Sequence, residues 1–67
     1  MMKDEIGINA GLIWQHINLK GECSLKTLKK ELKLNDAKTN LALGWLTREG
    51  KIGSFEKEGE QIYFLIF

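Results

Sequence analysis

The stretch QIYFLIF, residues 61–67, is apolar or aromatic at every position after Gln61, and this restricts the fold more than any other feature. As a strand it sets Tyr63, Leu65 and Phe67 on one face and Ile62, Phe64 and Ile66 on the other. A strand with one face in water alternates apolar and polar residues, so this one is expected to be covered on both sides or to join an interface. Glu58-Gly59 lies just ahead of it. Gly59 supplies the positive φ of a two-residue hairpin turn, which predicts strands over 51–57 and 60–67.

Three segments with helical period precede the hairpin. The first runs from about Lys3 to Leu19, with Asp4 and Glu5 where the helix dipole favours acids and Lys20-Gly21 as its stop. Ile6, Ala10, Ile13 and Ile17 share one face, with Trp14 beside it. Ile8, Leu12 and Leu19 form a second apolar stripe on roughly the opposite side, which needs a partner or must tolerate water. A short connection, Gly21 to Ser24, has room for a strand of one or two residues. Ser24 then caps a helix whose buried stripe is Leu25, Leu28 and Leu32, with Lys26, Lys29, Lys30 and Lys33 around the rest. Leu34-Asn35-Asp36 is a turn, and Asn35 or Asp36 caps a third helix that runs from about Ala37 to Glu49 and ends at Gly50.

A chain of 67 residues holds one domain. At this size only about 60% of the unfolded chain's surface is buried on folding, so a second subunit is a natural source of extra burial. The single cysteine, Cys23, excludes an internal disulfide, and with one histidine, His16, the usual zinc ligand sets cannot be assembled. No segment approaches the roughly 20 apolar residues of a membrane span. MMKDEIG carries acids and no long apolar run, so no secretory signal is expected and the cytoplasm is the expected setting. Net charge is +1, with the surplus of bases between residues 21 and 50 and a surplus of acids after residue 50.

Helix, short strand, helix, turn, helix and hairpin make the order of a winged helix-turn-helix. The residues agree. GECSLKTLKKELKLNDAKTNLALGWLTREGKI, followed by a hairpin with an EG turn, resembles the small bacterial winged helix-turn-helix family of unassigned function, whose members are stand-alone domains of about this length. The most specific pieces are ALGWL at Ala42 to Leu46, REGKI at Arg48 to Ile52, and IGINAGLIW at Ile6 to Trp14. The resemblance implies an α+β fold of DNA-binding type with three helices and a C-terminal β-hairpin wing. It brings no ligand, operator or catalytic residue.

In such proteins the buried positions of the third helix are four, seven, eight and eleven residues before its terminal glycine: Leu46, Leu43, Ala42 and Thr39. The other side then carries Ala37, Lys38, Asn40, Leu41, Gly44 and Trp45. A groove-reading helix usually shows Arg, Lys, Asn, Gln, Ser or Thr there, and only Lys38 and Asn40 qualify. Leu41 and Trp45 have three readings: extension of the core, a homodimer contact, or DNA contact with Leu41 against a thymine methyl. Gly7 and Gly11 leave a smooth groove on the first helix, either for tight packing against the third helix or wing or for a helix–helix dimer contact.

Lys26 and Lys30 would hold the phosphate backbone, since the second helix crosses it in a helix-turn-helix. Against this stands a solvated helix face partly neutralised by Glu22, Glu31 and Asp36. The wing turn, Glu56-Lys57-Glu58-Gly59-Glu60, would be repelled by phosphate. His16 and Cys23 have no partners at catalytic spacing, no phosphate-cradling loop or nucleophile motif occurs, and no enzymatic activity is expected. Nor is a cofactor, metal or small-molecule ligand. The expected protein is a homodimer built through Ile8, Leu12, Leu19, Leu41 and Trp45, binding double-stranded DNA through Lys26, Lys30, Lys38 and Asn40 as a transcription regulator. The alternative is a protein-interaction module that keeps the fold without binding DNA.

Overall fold

A computed structural model describes residues 2–66, with side chains from Glu5 onward. Phe67, expected in the last strand, and the side chain of Asp4, expected to favour the first helix's start, lie outside the described residues.

Helix α1 (Met2–Lys20) buries Ala10, Ile13 and Ile17 and half-buries Ile6 and Trp14, as their period requires. It stops at Gly21, whose φ of +91° a side chain would resist and whose amide donates to Ile17 O at 2.7 Å. Strand β1 (Glu22–Ser24) has three residues, longer than the expected one or two, because all three pair with a distant strand. Ser24 ends β1 and caps helix α2 (Leu25–Leu32): its Oγ accepts from the Thr27 amide at 3.1 Å. Only Leu28 of the α2 stripe is fully buried, with Leu25 and Leu32 packed at its margins.

Helix α3 (Asp36–Arg48) is followed by Gly50 at φ +70°, and the Lys51 amide donates back to Leu46 O at 3.0 Å. Strands β2 (Ile52–Lys57) and β3 (Glu60–Leu65) close through Glu58 (φ 52°) and Gly59 (φ 79°), the two positive φ values of a type I′ turn. β3 stops at Leu65, so Ile66, expected within it, lies beyond its end.

The sheet is antiparallel throughout in the order β1-β3-β2, with β3 in the centre. Cys23 sits opposite Tyr63 and Ile52 opposite Leu65, so these residues share the face that packs on the helices. Phe55 opposite Ile62 and Gly53 opposite Phe64 take the other face. There the Phe55 and Phe64 rings stand 5.9 Å apart at 40°. Among the described residues β3 is covered on one side by helices and on the other by its neighbour's aromatic ring, so of the two expectations for it, two-sided cover or a place in an interface, the first is not met.

The core joins Ile13 and Ile17 of α1, Leu28 of α2, Ala42, Leu43 and Leu46 of α3, and Ile52 of β2. α1 packs mainly against α3. His16 Nε2 lies 2.5 Å from Glu31 Oε1, which ties α1 to α2. Burial raises the Cys23 thiol above its ordinary 9.0, with Glu31 adding to the rise.

Candidate nucleic-acid interface

The turn between α2 and α3 sets the pose of α3. Lys33 ends α2 in the left-handed region (φ 56°), where its own amide bonds Lys29 O and the Leu34 amide donates to the same carbonyl at 3.2 Å. Asn35 then starts α3: its Oδ1 accepts from the Lys38 amide at 2.8 Å, and its carbonyl accepts from Thr39 Oγ1 at 2.8 Å. Of the two expected caps, Asn35 is the one used, and Asp36 becomes the first helical residue.

The inward side of α3 is Thr39, Ala42, Leu43 and Leu46, the four positions expected. Ala37, Lys38, Asn40, Leu41, Gly44 and Trp45 all face outward and are exposed. Leu41 is 49% exposed and Trp45 40%, so the reading in which both fold down to extend the core is overturned. The inward phase of the helix is taken up by Thr39, Ala42, Leu43 and Leu46, which turns Leu41 and Trp45 to the other side. Arg48 is also exposed and lies on the Leu41 stripe, seven residues further along. It was not among the expected contacts, although that spacing was visible in the sequence.

Charge on this surface is partly used up internally. Lys38 Nζ lies 2.9 Å from Glu5 Oε1 of α1, and Lys29 Nζ lies 2.8 Å from Asp36 Oδ1. Lys26 and Lys30 are exposed and form no ion pair among the described residues. Lys26 and Lys29 share a shallow groove with Gly59, Glu60 and Gln61, so the acidic hairpin turn stands beside α2.

A family model described as "Winged helix-turn-helix domain (DUF2582)" matches residues 1–66. The chain belongs to this family. It is also similar to the solution structure of protein BT2368 from Bacteroides thetaiotaomicron, with 34% identity, a TM-score of 0.83, and cover of 97% of this chain and 79% of that one. A structure concerned with the DNA recognition and protein interaction domains of HOP2 matches with 29% identity and a TM-score of 0.66, covering 85% of this chain and 97% of that one. A comparison with curated proteins found no match.

In winged-helix terms, α2 and α3 are the helix-turn-helix, β2 and β3 the wing, and the outward stripe of α3 the surface such domains present to a groove. The remaining surface of this winged helix is unusually apolar on α1. Ile8 is 64% exposed, Leu12 43% and Leu19 83%. Gly7 and Gly11 lie next to them, and a Cβ built on either would meet nothing within 4 Å. Tight packing against α3 or the wing is therefore not why they are glycine, even though each costs a helix about 1 kcal/mol relative to alanine. Between α1 and the end of α3 runs an open groove of about 370 Å³ bordered by Gly7, Gly11, Trp14 and Trp45. Among the described residues no three His, Cys, Asp or Glu side chains cluster to hold a metal, and no helix is long and apolar enough to cross a membrane.

Proposed function

We propose that this winged helix binds double-stranded DNA, as a non-catalytic cytoplasmic protein of transcription-regulator type. The observation that carries the proposal is the outward stripe of α3: Ala37, Leu41, Gly44 and Arg48, flanked by Asn40 and Lys38, is exposed along its length, with Lys38 held by Glu5 of α1 at its edge. The family's fold and the similarity to a HOP2 structure concerned with DNA recognition support it.

In this reading α3 enters the major groove. Asn40 can bond an adenine edge through two atoms, and Leu41 can lie against a thymine methyl, so the helix favours A·T pairs. Lys26 and Lys30 hold phosphates on one flank and Arg48 on the other, and these contacts position the helix without specifying sequence. The acidic turn of the wing lies beside Lys26 and opposes phosphate there, so the attractive contacts are those of the helix-turn-helix. The test is a titration of mixed-sequence duplex at several salt concentrations. Affinity should fall linearly on a log–log plot, with a slope near −0.9 for each phosphate neutralised. Absence of binding at low salt would sink the proposal.

The exposure of Leu41 on the same stripe, and the acids Glu56, Glu58 and Glu60 on the hairpin, favour a second reading. In that reading the domain is a protein-interaction module that presents α3 to an apolar partner surface. A null salt titration leaves this reading standing.

A further inference from the structure

We propose that α1 is the interface between two copies of this chain, with Ile8 and Leu12 of each copy seated against Gly7, Gly11 and the Trp14–Trp45 groove of the other. Between Glu5 and Lys20 the helix contains no Asp, Glu, Lys or Arg. Its one titratable residue in that span, His16, turns toward Glu31 of α2 and away from the open face. A helix face left to water ordinarily carries charges. This one instead sets exposed Ile8, Leu12 and Leu19 beside Gly7 and Gly11, with Gln15 and Asn18 as its polar residues, and a Cβ built on either glycine would meet no neighbouring side chain or element within 4 Å.

The occupant follows from charge and shape. A second copy's identical face is uncharged along α1, and where the groove nears the end of α3 it is bordered by Glu49 and Lys51, one charge of each sign, so two copies meet with no net charge to repel. A two-fold axis makes every contact occur twice, so one face must carry both knob and socket. This face does: Ile8 and Leu12 project beside the depression at Gly7 and Gly11, and the groove of about 370 Å³ continues it to Trp45. A stable pair takes about 800 Å² from each partner. One face of a 19-residue helix is too narrow to supply that, so the groove as far as Trp45 has to join the contact. Trp45 then belongs to the dimer, whereas Leu41, Asn40 and Arg48 stay outside it.

Sedimentation of the whole chain tests this independently of any DNA experiment. The expected mass at micromolar concentration is twice 7.7 kDa. Leu12→Lys should weaken association by at least about 30-fold, as for a central interface contact, with the helical circular-dichroism signal unchanged. Gly7→Gln with Gly11→Gln has room in the isolated fold, so it should also give a folded monomer. Leu41→Ala should leave the dimer intact. A wild-type chain that sediments as a single copy at hundred-micromolar concentration overturns the proposal, as does a dimer indifferent to both the Leu12 and the glycine substitutions.

Discussion

Lys38 on the outward side of α3 is held by Glu5 on α1, with Nζ and Oε1 2.9 Å apart. The pair joins the first helix to the flank of the surface proposed for DNA, so the lysine must leave its carboxylate before it can meet a phosphate. Both side chains are about half exposed, so the pair itself adds well under 1 kcal/mol to stability.

Glu5→Gln should therefore strengthen duplex binding. The expected gain is about three- to tenfold at low salt, with the salt slope steeper by about one phosphate, because Lys38 is then free to release a counterion. Anisotropy titrations of the two proteins in parallel check it. An unchanged slope would mean that Lys38 takes no part.

Lys26→Ala with Lys30→Ala should weaken binding to every sequence alike and flatten the salt slope by about two. Asn40→Ala should do the opposite in kind, relaxing discrimination at one base pair by about 1–3 kcal/mol while leaving the slope alone. Comparing a matched and a mismatched duplex distinguishes the two effects.

Gly53→Ala should destabilise the wing. A Cβ there would stand 2.6 Å from the Phe64 ring, so the ring must swing aside and loosen its contact with Phe55. The expected loss is about 1 kcal/mol by denaturant unfolding, within the range for overpacked sites. Phe64→Leu in the same chain should return most of it. If the two substitutions simply add, the contact is not the cause.

Stability should decline as the solution becomes alkaline. Burial raises the Cys23 thiol above 9.0 and the Tyr63 hydroxyl above 10.0, so both give up protons in the unfolded chain first. Above about pH 9 the unfolded state binds fewer protons than the folded one, and the free energy of unfolding falls with pH. Below that range neither group contributes a slope. Melting curves between pH 7 and 10.5 should show the decline, and Cys23→Ala should remove its first part.

Much of this fold can be read from spacing alone. Thr39, Ala42, Leu43 and Leu46 were expected inside because the family resemblance implies those positions, counted back from the glycine that ends α3, whereas the wide apolar arc of the helix alone left its phase open. The hairpin was expected from Glu58-Gly59, and both residues do adopt positive φ. Periodicity gives direction and says nothing of what waits there. Trp45 and Leu41 could be placed on the outer side of α3, yet whether another element covered that side was not visible. Lys38 looked free because Glu5 is remote in sequence and becomes its neighbour only once α1 lies across α3. Gly7 and Gly11 looked like packing glycines because a close-approach site and an empty one have the same sequence.

β3 follows both of its neighbours in sequence and is the middle strand of the sheet, with Glu22 opposite Phe64 on one side and Ile52 opposite Leu65 on the other. During synthesis, neither β1 nor β2 has anything to pair with until that strand has left the ribosome. A nascent chain halted at the hairpin turn would hold three helices with no floor beneath them, and its greasy surfaces would be open to chaperones and proteases. The domain should thus become protease-resistant in a single step, once β3 has emerged.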